Sequence, residues 1–469
     1  MSRATRAPDR RGEFLLLGVL WAIRRHGLGQ SARRCPAADI GPVRTSREQP
    51  IADRTDEQDD HMFPSRLRTI CCAAAIVALI APLNGCGSRI SGTATAGELD
   101  VRKLDVGRYA IDPLDLRYTY NPSLSYAKTL AVLRLADQVA TGQEIEPQFK
   151  WSTGGIPITS TSDLDGGVLA RDNIAVADKY GMLFGFAAGA SDTEPDSRGH
   201  AQPGAAFMSM VVLQFPSEQA ATQAATEIEQ TDFRVAADQN EKVDIPKFPD
   251  AHTHWRPTVA NIGSTMAHGR YVINLFMGLA SVDLNAMKYL VERAYSTQIP
   301  LLDNLPPLTP EDMVRLPYDP DGLLNRTLNP DAYGIPDYQY QAVFGVRGFL
   351  HRVADNARLR KVLTDAGVDR GSMTRAPTRE SAVVFRTRDD DAARVLEPEL
   401  LAAQYATAAD APHDIPGTKC GENKLADLNA KRFRCALSYR RYAAFVEGDQ
   451  LQDVQQRAAA QYALLADAQ

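Results

Sequence analysis

One order of elements occurs twice in this chain, and it constrains the fold more than any other feature. Met208-Ser-Met-Val-Val-Leu-Gln-Phe215 reads as a strand, followed by a helix with Ala221, Ala224, Ala225 and Ile228 on one face. Ile245-Pro246 comes next, then a hairpin-like run from Ser264 to Leu275, then a helix presenting Leu284, Met287, Val291 and Ala294. The order returns as Ala382-Val-Val-Phe385 and a helix with Ala392, Val395 and Leu396. Ile415-Pro416, a second hairpin from Cys435 to Val446, and a last helix with Leu451, Val454, Ala458 and Tyr462 complete it. Arg270-Tyr271 and Arg441-Tyr442 fall at matching places, about 171 residues apart, as an internal repeat requires. The expected fold is α+β: two related modules, each an antiparallel sheet with helices packed on one face. Chance recurrence of a common β-α-β-β-α order is the competing account.

A Pro-rich band separates the copies, with Pro306-Pro307, Pro310, Pro317, Pro320 and Pro330 between Pro300 and Pro336. It places a first α+β domain at 106–305, a linker at 306–337 and a second α+β domain at 338–469. Leu124 to Thr141 has the apolar spacing of a helix, and 165–190 reads as strand and loop. Tyr338 to Ala366 reads as a helix, stopped by Gly367.

The second constraint is an address. Arg66 and Arg68 precede an apolar run from Ile70 to Ala81, which ends at Pro82-Leu-Asn-Gly-Cys86. A basic start, an apolar middle and a small residue before a cut form an export signal, here 62–85. The run is about 12 residues, or about 18 Å of helix, too short for a comfortable bilayer span. A core helix of a soluble domain is the alternative. Residues 1–61 hold 11 Arg and no Lys ahead of Met62, and read as an upstream start-site artefact or a disordered extension. A cytoplasmic tail with an uncleaved anchor is the other reading.

Leu83-Asn-Gly-Cys86 resembles the lipobox of bacterial lipoproteins, although Asn84 stands where a small residue is usual. That resemblance implies cleavage between Gly85 and Cys86, and a lipid on the Cys86 thiol. Two or three acyl chains, at about 0.8 kcal/mol per buried methylene, would anchor durably. Small, polar residues 86–105 then read as the lipidated Cys and its tether. Cys35, Cys71 and Cys72 lie upstream of the cut and Cys86 takes lipid, so Cys420 and Cys435 remain to pair. In a compartment that permits oxidation they read as one disulfide, worth about 3 kcal/mol.

Short motifs run through the chain from Cys86 onward: Leu104-Asp-Val-Gly107 with Tyr109, Gly345-x-Arg-Gly348 with His351, Ala366-Gly-Val-Asp369, and Val384-x-Arg386-x-Arg388-Asp389. In this order they resemble a family of uncharacterised lipoproteins of mycobacteria and other actinobacteria. The resemblance implies a location and an architecture but no chemistry.

Candidate chemistry is sparse. His252 and His254 would share one face of a strand and could chelate a metal, with Asp250 or His268 the nearest further ligands. A packed surface loop beside Trp255 and Pro257 is the bland reading, and no metal site is expected. Asp319-Pro-Asp-Gly322 opens like a calcium loop but lacks the closing Glu, so a turn is expected. Asp389-Asp-Asp391 reads as a helix cap, and Arg440-Arg-Tyr442 as a solvated strand edge or an anion contact. The nucleophile-elbow, P-loop, dinucleotide-binding and zinc-protease motifs are all absent.

The formal net charge is −6. Residues 1–85 carry 13 Arg against 9 acidic residues, so the remainder is more acidic still. No global basic field for nucleic acid exists. The expectation is a lipid-anchored, exported envelope protein without a cofactor, held to the membrane through Cys86. Its body would be a non-catalytic module for an envelope lipid, a glycan or a protein. An envelope hydrolase with a dispersed carboxylate site is the alternative.

Overall fold

The computed structural model describes residues 99–112, 120–196, 198–329, 336–425 and 430–467. The signal segment, the Gly85–Cys86 junction and the tether up to residue 98 lie outside the described residues. Residues 100–469 belong to one compact unit. Its first part holds α1 (Leu124–Ala136), α2 (Gly142–Ile145), β1 (Trp151–Ile158), α3 (Asn173–Lys179), β2 (Phe184–Ser191), β3 (Phe207–Gln214) and α4 (Glu218–Arg234). Then come β4 (Glu241–Lys242), β5 (His252–Trp255), β6 (Asn261–His268), β7 (Tyr271–Gly278), α5 (Leu284–Asp303) and α6 (Pro310–Val314). The second part runs β8 (Gln341–Phe344), α7 (Val346–Leu350), α8 (Asn356–Asp365), β9 (Arg370–Arg375), β10 (Ser381–Arg386) and α9 (Asp390–Glu399). It ends with β11 (Thr407–Ala409), β12 (Lys419–Glu422), β13 (Phe433–Tyr439), β14 (Tyr442–Gly448) and α10 (Leu451–Asp467). Among the described residues no helix is long and apolar enough to cross a membrane.

The strands form two seven-stranded sheets, β1-β2-β3-β7-β6-β5-β4 and β8-β9-β10-β14-β13-β12-β11. Each strand of one sheet has its counterpart at the same place in the other, and the pairings are antiparallel. The repeat therefore reaches further back than the sequence reading placed it, taking in β1–β2 and β8–β9. The repeated helices also start alike: the Ser217 side chain accepts from Ala220 N ahead of α4, and Asp389 accepts from Ala392 N ahead of α9.

Four expectations are corrected. Helices cover both faces of each sheet, not one. In the first sheet Val211, Leu213 and Val272 pack with Ala221, Ala224 and Ile228 of α4. The opposite face (Met210, Val212, Ile273, Leu275) joins the core that includes α1 and α5. In the second, Glu397 of α9 meets Ser438 on one side, and Tyr462 of α10 meets Tyr439 on the other. The reason is visible in β3, whose apolar residues run on without alternation, as a strand buried on both faces requires. Within 165–190 the structure has a helix, α3, before β2. Seven residues are too few for a helical period to stand out. Tyr338–Ala366 is not one helix but β8, α7 and α8, broken at Gly345 and again ahead of Asp355, whose side chain caps α8. Val395, read as an inward residue of α9, is 71% exposed.

The Pro-rich segment is packed rather than bare. Its Thr309 caps α6 with Asp312 answering, and Leu308, Met313, Tyr318, Leu324 and Leu328 are buried.

Candidate functional site

Strand register explains how a ligand-sized cavity arises. In the second sheet Arg375 pairs with Ser381, Arg434 pairs with Glu447, and the Ser381 hydroxyl donates to the Glu447 carboxylate. These four residues therefore form one polar row across β9, β10, β14 and β13. The next row on the same face, Met373, Val383, Phe445 and Ala436, is apolar. Facing these rows are Tyr338, Phe349, His351, Arg352 and Val353, together with Gly154 and Gly155 of β1. The space between has a volume of about 780 Å³, within the usual range for small-molecule sites. It is built jointly by the two modules.

The charges in this cavity are mostly ordered. Arg434 donates to Glu447 at 2.9 Å through Nε, and its guanidinium lies between the Tyr405 ring (4.5 Å) and the Phe445 ring (4.2 Å). Burial pushes the Glu447 carboxyl up, but Arg434, Ser381 and Tyr405 together bring it below its ordinary value. Lys431 Nζ sits 3.0 Å from Glu380 and 2.6 Å from Asp449. His351 is buried, donates Nε2–H to Val139 O at 3.0 Å, and is pushed down to about 4 by that burial.

Below the cavity the modules are clasped together. Asp137, just past α1, accepts N–H bonds from Gly345 (2.7 Å) and Gly348 (3.0 Å) at the start of α7. A Cβ on Gly348 would collide with the Asp137 carboxylate, so only glycine permits this approach. Arg347 and Arg360 grip Glu144. Burial would raise Glu144, but the two guanidinium groups hold it at about 2. The motif Gly345-x-Arg-Gly348 with His351 is thus a joint between modules.

The other motifs are also structural. Tyr109 donates to Asp453 of α10 at 2.5 Å, and Asp105 accepts from Gln456. Gly367 takes a left-handed φ of 59° past the end of α8. Arg386 forks onto Asp369 at 2.8 and 3.0 Å.

The residues singled out from sequence fall in several places. Cys420 and Cys435 are direct cross-strand partners on β12 and β13, bonded as a disulfide, with Cα atoms 4.1 Å apart. Gly85 and Cys86 lie outside the described residues. His252 and His254 do share one face of β5, but each has its own partner on α4. His252 Nε2 meets Thr226 Oγ1 at 3.2 Å, and His254 Nδ1 meets Glu229 Oε1 at 2.6 Å. His268 pairs instead with Asp303 at 2.7 Å. Among the described residues no group of three or more His, Cys, Asp or Glu is placed to hold a metal. Asp319 accepts from Leu324 N and Asn325 N, while Asp321 pairs with Arg370 and Arg386, so that loop is a turn. Arg441 Nε donates to Thr387 O.

Glu229 and Asp232 form a second buried polar cluster beneath α4. Burial raises Glu229 to about 7 and Asp232 to about 6, against the opposing effect of His254 on both. The cavity residues Arg352, Arg375, Arg434 and Glu447 went unnoticed in the sequence. The available signal was charge inside a hairpin otherwise read as apolar: Arg434 directly precedes Cys435, and Glu447 directly follows Val446.

Fold and cavity together define a duplicated α+β protein with a ligand-sized space shared by its modules. The chain belongs to the family of the DUF7373 domain of unknown function. Residues 118–318 match its N-terminal domain and 323–468 its C-terminal domain. No match was found among curated proteins. Among solved structures, the extracellular domain of PknH from Mycobacterium tuberculosis aligns with a TM-score of 0.27 and 11% identity, over 39% of this chain and 98% of that one.

Proposed function

We propose that this is an exported, lipid-anchored protein of the cell envelope, tethered through Cys86, whose paired modules bind a ligand in the shared cavity. The cavity, about 780 Å³ with an apolar row beside a charged row, carries the binding part of this reading. Binding is favoured over hydrolysis by the state of its carboxylates. Glu447 is held by Arg434 and Asp449 by Lys431. The Glu447 carboxyl, kept ionised by Arg434, is a poor general acid, and glycoside hydrolysis needs one that is protonated. The lipobox-like Leu83–Cys86 supports the anchor.

Two measurements test the proposal. Metabolic labelling with a fatty-acid analogue should mark the wild type and not Cys86→Ala; label that survives the substitution rejects the anchor. Native mass spectrometry of the full chain extracted from membranes should find a bound small molecule. Val353→Trp, which fills the cavity from one wall, should lose it. Equal retention by both would reject the cavity as the site.

A further inference from the structure

Two of the cations lining the cavity, Arg352 and Arg375, lack the anions that Arg434 and Lys431 have. Arg434 is matched by Glu447, and Lys431 by Glu380 and Asp449. Arg352 donates through Nη1 to Tyr338 O, and its guanidinium carbon lies 3.7 Å from the centre of the Tyr338 ring. Its Nε and Nη2 are buried and meet no hydrogen-bond partner, and neither does the buried Tyr338 hydroxyl beside them. Asp137 and Asp337 attract Arg352 through space, but Asp137 is engaged with Gly345 and Gly348. Arg375, at the end of the polar row, forms no ion pair among the described residues; Glu447 attracts it through space but is engaged with Arg434, and the charge of Arg379 acts against it.

Leaving a charged donor such as Arg352 unmatched in a desolvated wall is costly. A planar guanidinium answers best to a carboxylate or a phosphate, which it can grip with two parallel bonds. Part of the surrounding surface is apolar: Phe349, Val353, Met373, Val383 and Phe445. A small inorganic anion would leave that surface wet, and an uncharged lipid would leave the arginines unmatched.

We propose that the cavity takes an amphiphilic anion, its phosphate or carboxylate head bound by Arg352 and Arg375 and its apolar body laid along Phe349, Met373 and Phe445. This rests on the ligand-binding reading above and names its ligand class. The site is local: the chain as a whole is acidic, so attraction comes from these two groups and not from a general field.

The test is calorimetric titration of the full chain in nanodiscs of zwitterionic lipid, with empty nanodiscs as the blank. The probes are octyl phosphate, octanoate, inorganic phosphate, octyl glucoside and octyltrimethylammonium. One equivalent of octyl phosphate or octanoate should bind, whichever head is the tighter, and the other three at least about tenfold more weakly. Arg375→Gln should weaken the anionic probes about tenfold or more with an unchanged melting transition, and Arg352→Gln should do the same where it folds. Octyl glucoside binding as tightly as octyl phosphate would overturn the anion assignment and leave ligand binding standing. Inorganic phosphate binding as tightly would overturn the apolar body. If no probe binds, both the assignment and the ligand-binding reading fail.

Discussion

The two modules share a topology strand for strand, yet the helix that covers the length of one sheet face in the first covers only part of it in the second. Helix α4 runs for 17 residues and its counterpart α9 for 10. The missing seven residues amount to about 10 Å of helix. In the first module those last turns bring Glu229 and Asp232 over the sheet, where His254 lies against Gly263 and Asn274 donates to Thr265. In the second module α9 stops near Pro398, and the same region of sheet carries Arg434 where the first has Gly263, and Glu447 where the first has Phe276. The cavity exists because a helix is short. The same register also aligns Thr253–Ser264, hydrogen-bonded at 2.7 Å, with the Cys420–Cys435 disulfide. The second module has a covalent cross-strand tie where the first has a pair of hydroxyls.

Removing those ties should separate the modules most clearly. Cys420→Ser with Cys435→Ser should cost about 3 kcal/mol, the chain-entropy value for a loop of this size. Thr253→Ala with Ser264→Ala removes that bond and the one from Ser264 to the buried Tyr295 hydroxyl at 2.8 Å, and should cost about 2 kcal/mol, about 1 kcal/mol for each. Denaturant unfolding of both double variants, with and without reductant, checks the ranking. Equal losses, or no effect of reductant on the wild type, would remove the contrast. Next in size is the clasp: Asp137→Ala leaves two N–H groups of α7 unmatched and should cost about 2 kcal/mol in the same measurement.

The buried carboxylates should answer pH in opposite directions. Glu229 is raised from 4.5 to about 7, mainly by burial, so its folded form holds a proton that the unfolded chain gives up. That contribution is fully present below pH 4.5 and is lost as pH rises toward 7. Glu447 lies below its ordinary 4.5 despite burial, because Arg434 and its hydrogen bonds outweigh it. Its contribution is present above pH 4.5 and is lost as pH falls further. Glu229→Gln should therefore flatten the melting profile between pH 4.5 and 7, and Glu447→Gln should flatten it below 4.5. A profile altered in the same window by both would show that the two faces are not electrostatically distinct.

Much of this fold was legible because its central strands are apolar runs and its hairpins repeat the Arg-Tyr pair at matching positions. The outer strands were not. β1 is Trp-Ser-Thr-Gly-Gly-Ile-Pro-Ile and β9 is Arg-Gly-Ser-Met-Thr-Arg, neither of which alternates cleanly. Of the site, the shared face of His252 and His254 was readable from spacing alone, but its occupation by Thr226 and Glu229 depends on how α4 lies across the sheet. Arg352, Arg375 and Arg434 look like solvated charges along the chain. Only register and the clasp at Gly345 and Gly348 bring them to one wall, and pairings between distant segments leave no local pattern to read.

The smallest expected effect concerns the hairpin turns, where the modules match in geometry and differ in residue. Gly269 turns β6 into β7 with φ 53°, and Arg440 turns β13 into β14 with φ 47°. In each case it is the first central residue of a two-residue turn that takes positive φ, the position glycine prefers in a type II′ hairpin. An arginine there bears the steric cost of its Cβ, about 1 kcal/mol, which glycine avoids. Against this, Arg440 rests its guanidinium 5.6 Å from the Tyr439 ring, an exposed contact worth about 0.5 kcal/mol. Gly269→Arg should thus lose about 1 kcal/mol, His268 standing where the second turn has the Tyr439 ring, and Arg440→Gly should change stability by less than that. Thermal melts of the two variants decide it. If Arg440→Gly melts below the wild type, the arginine contributes more through its contacts than it costs in backbone strain, and the two turns are alike in shape but not in what holds them.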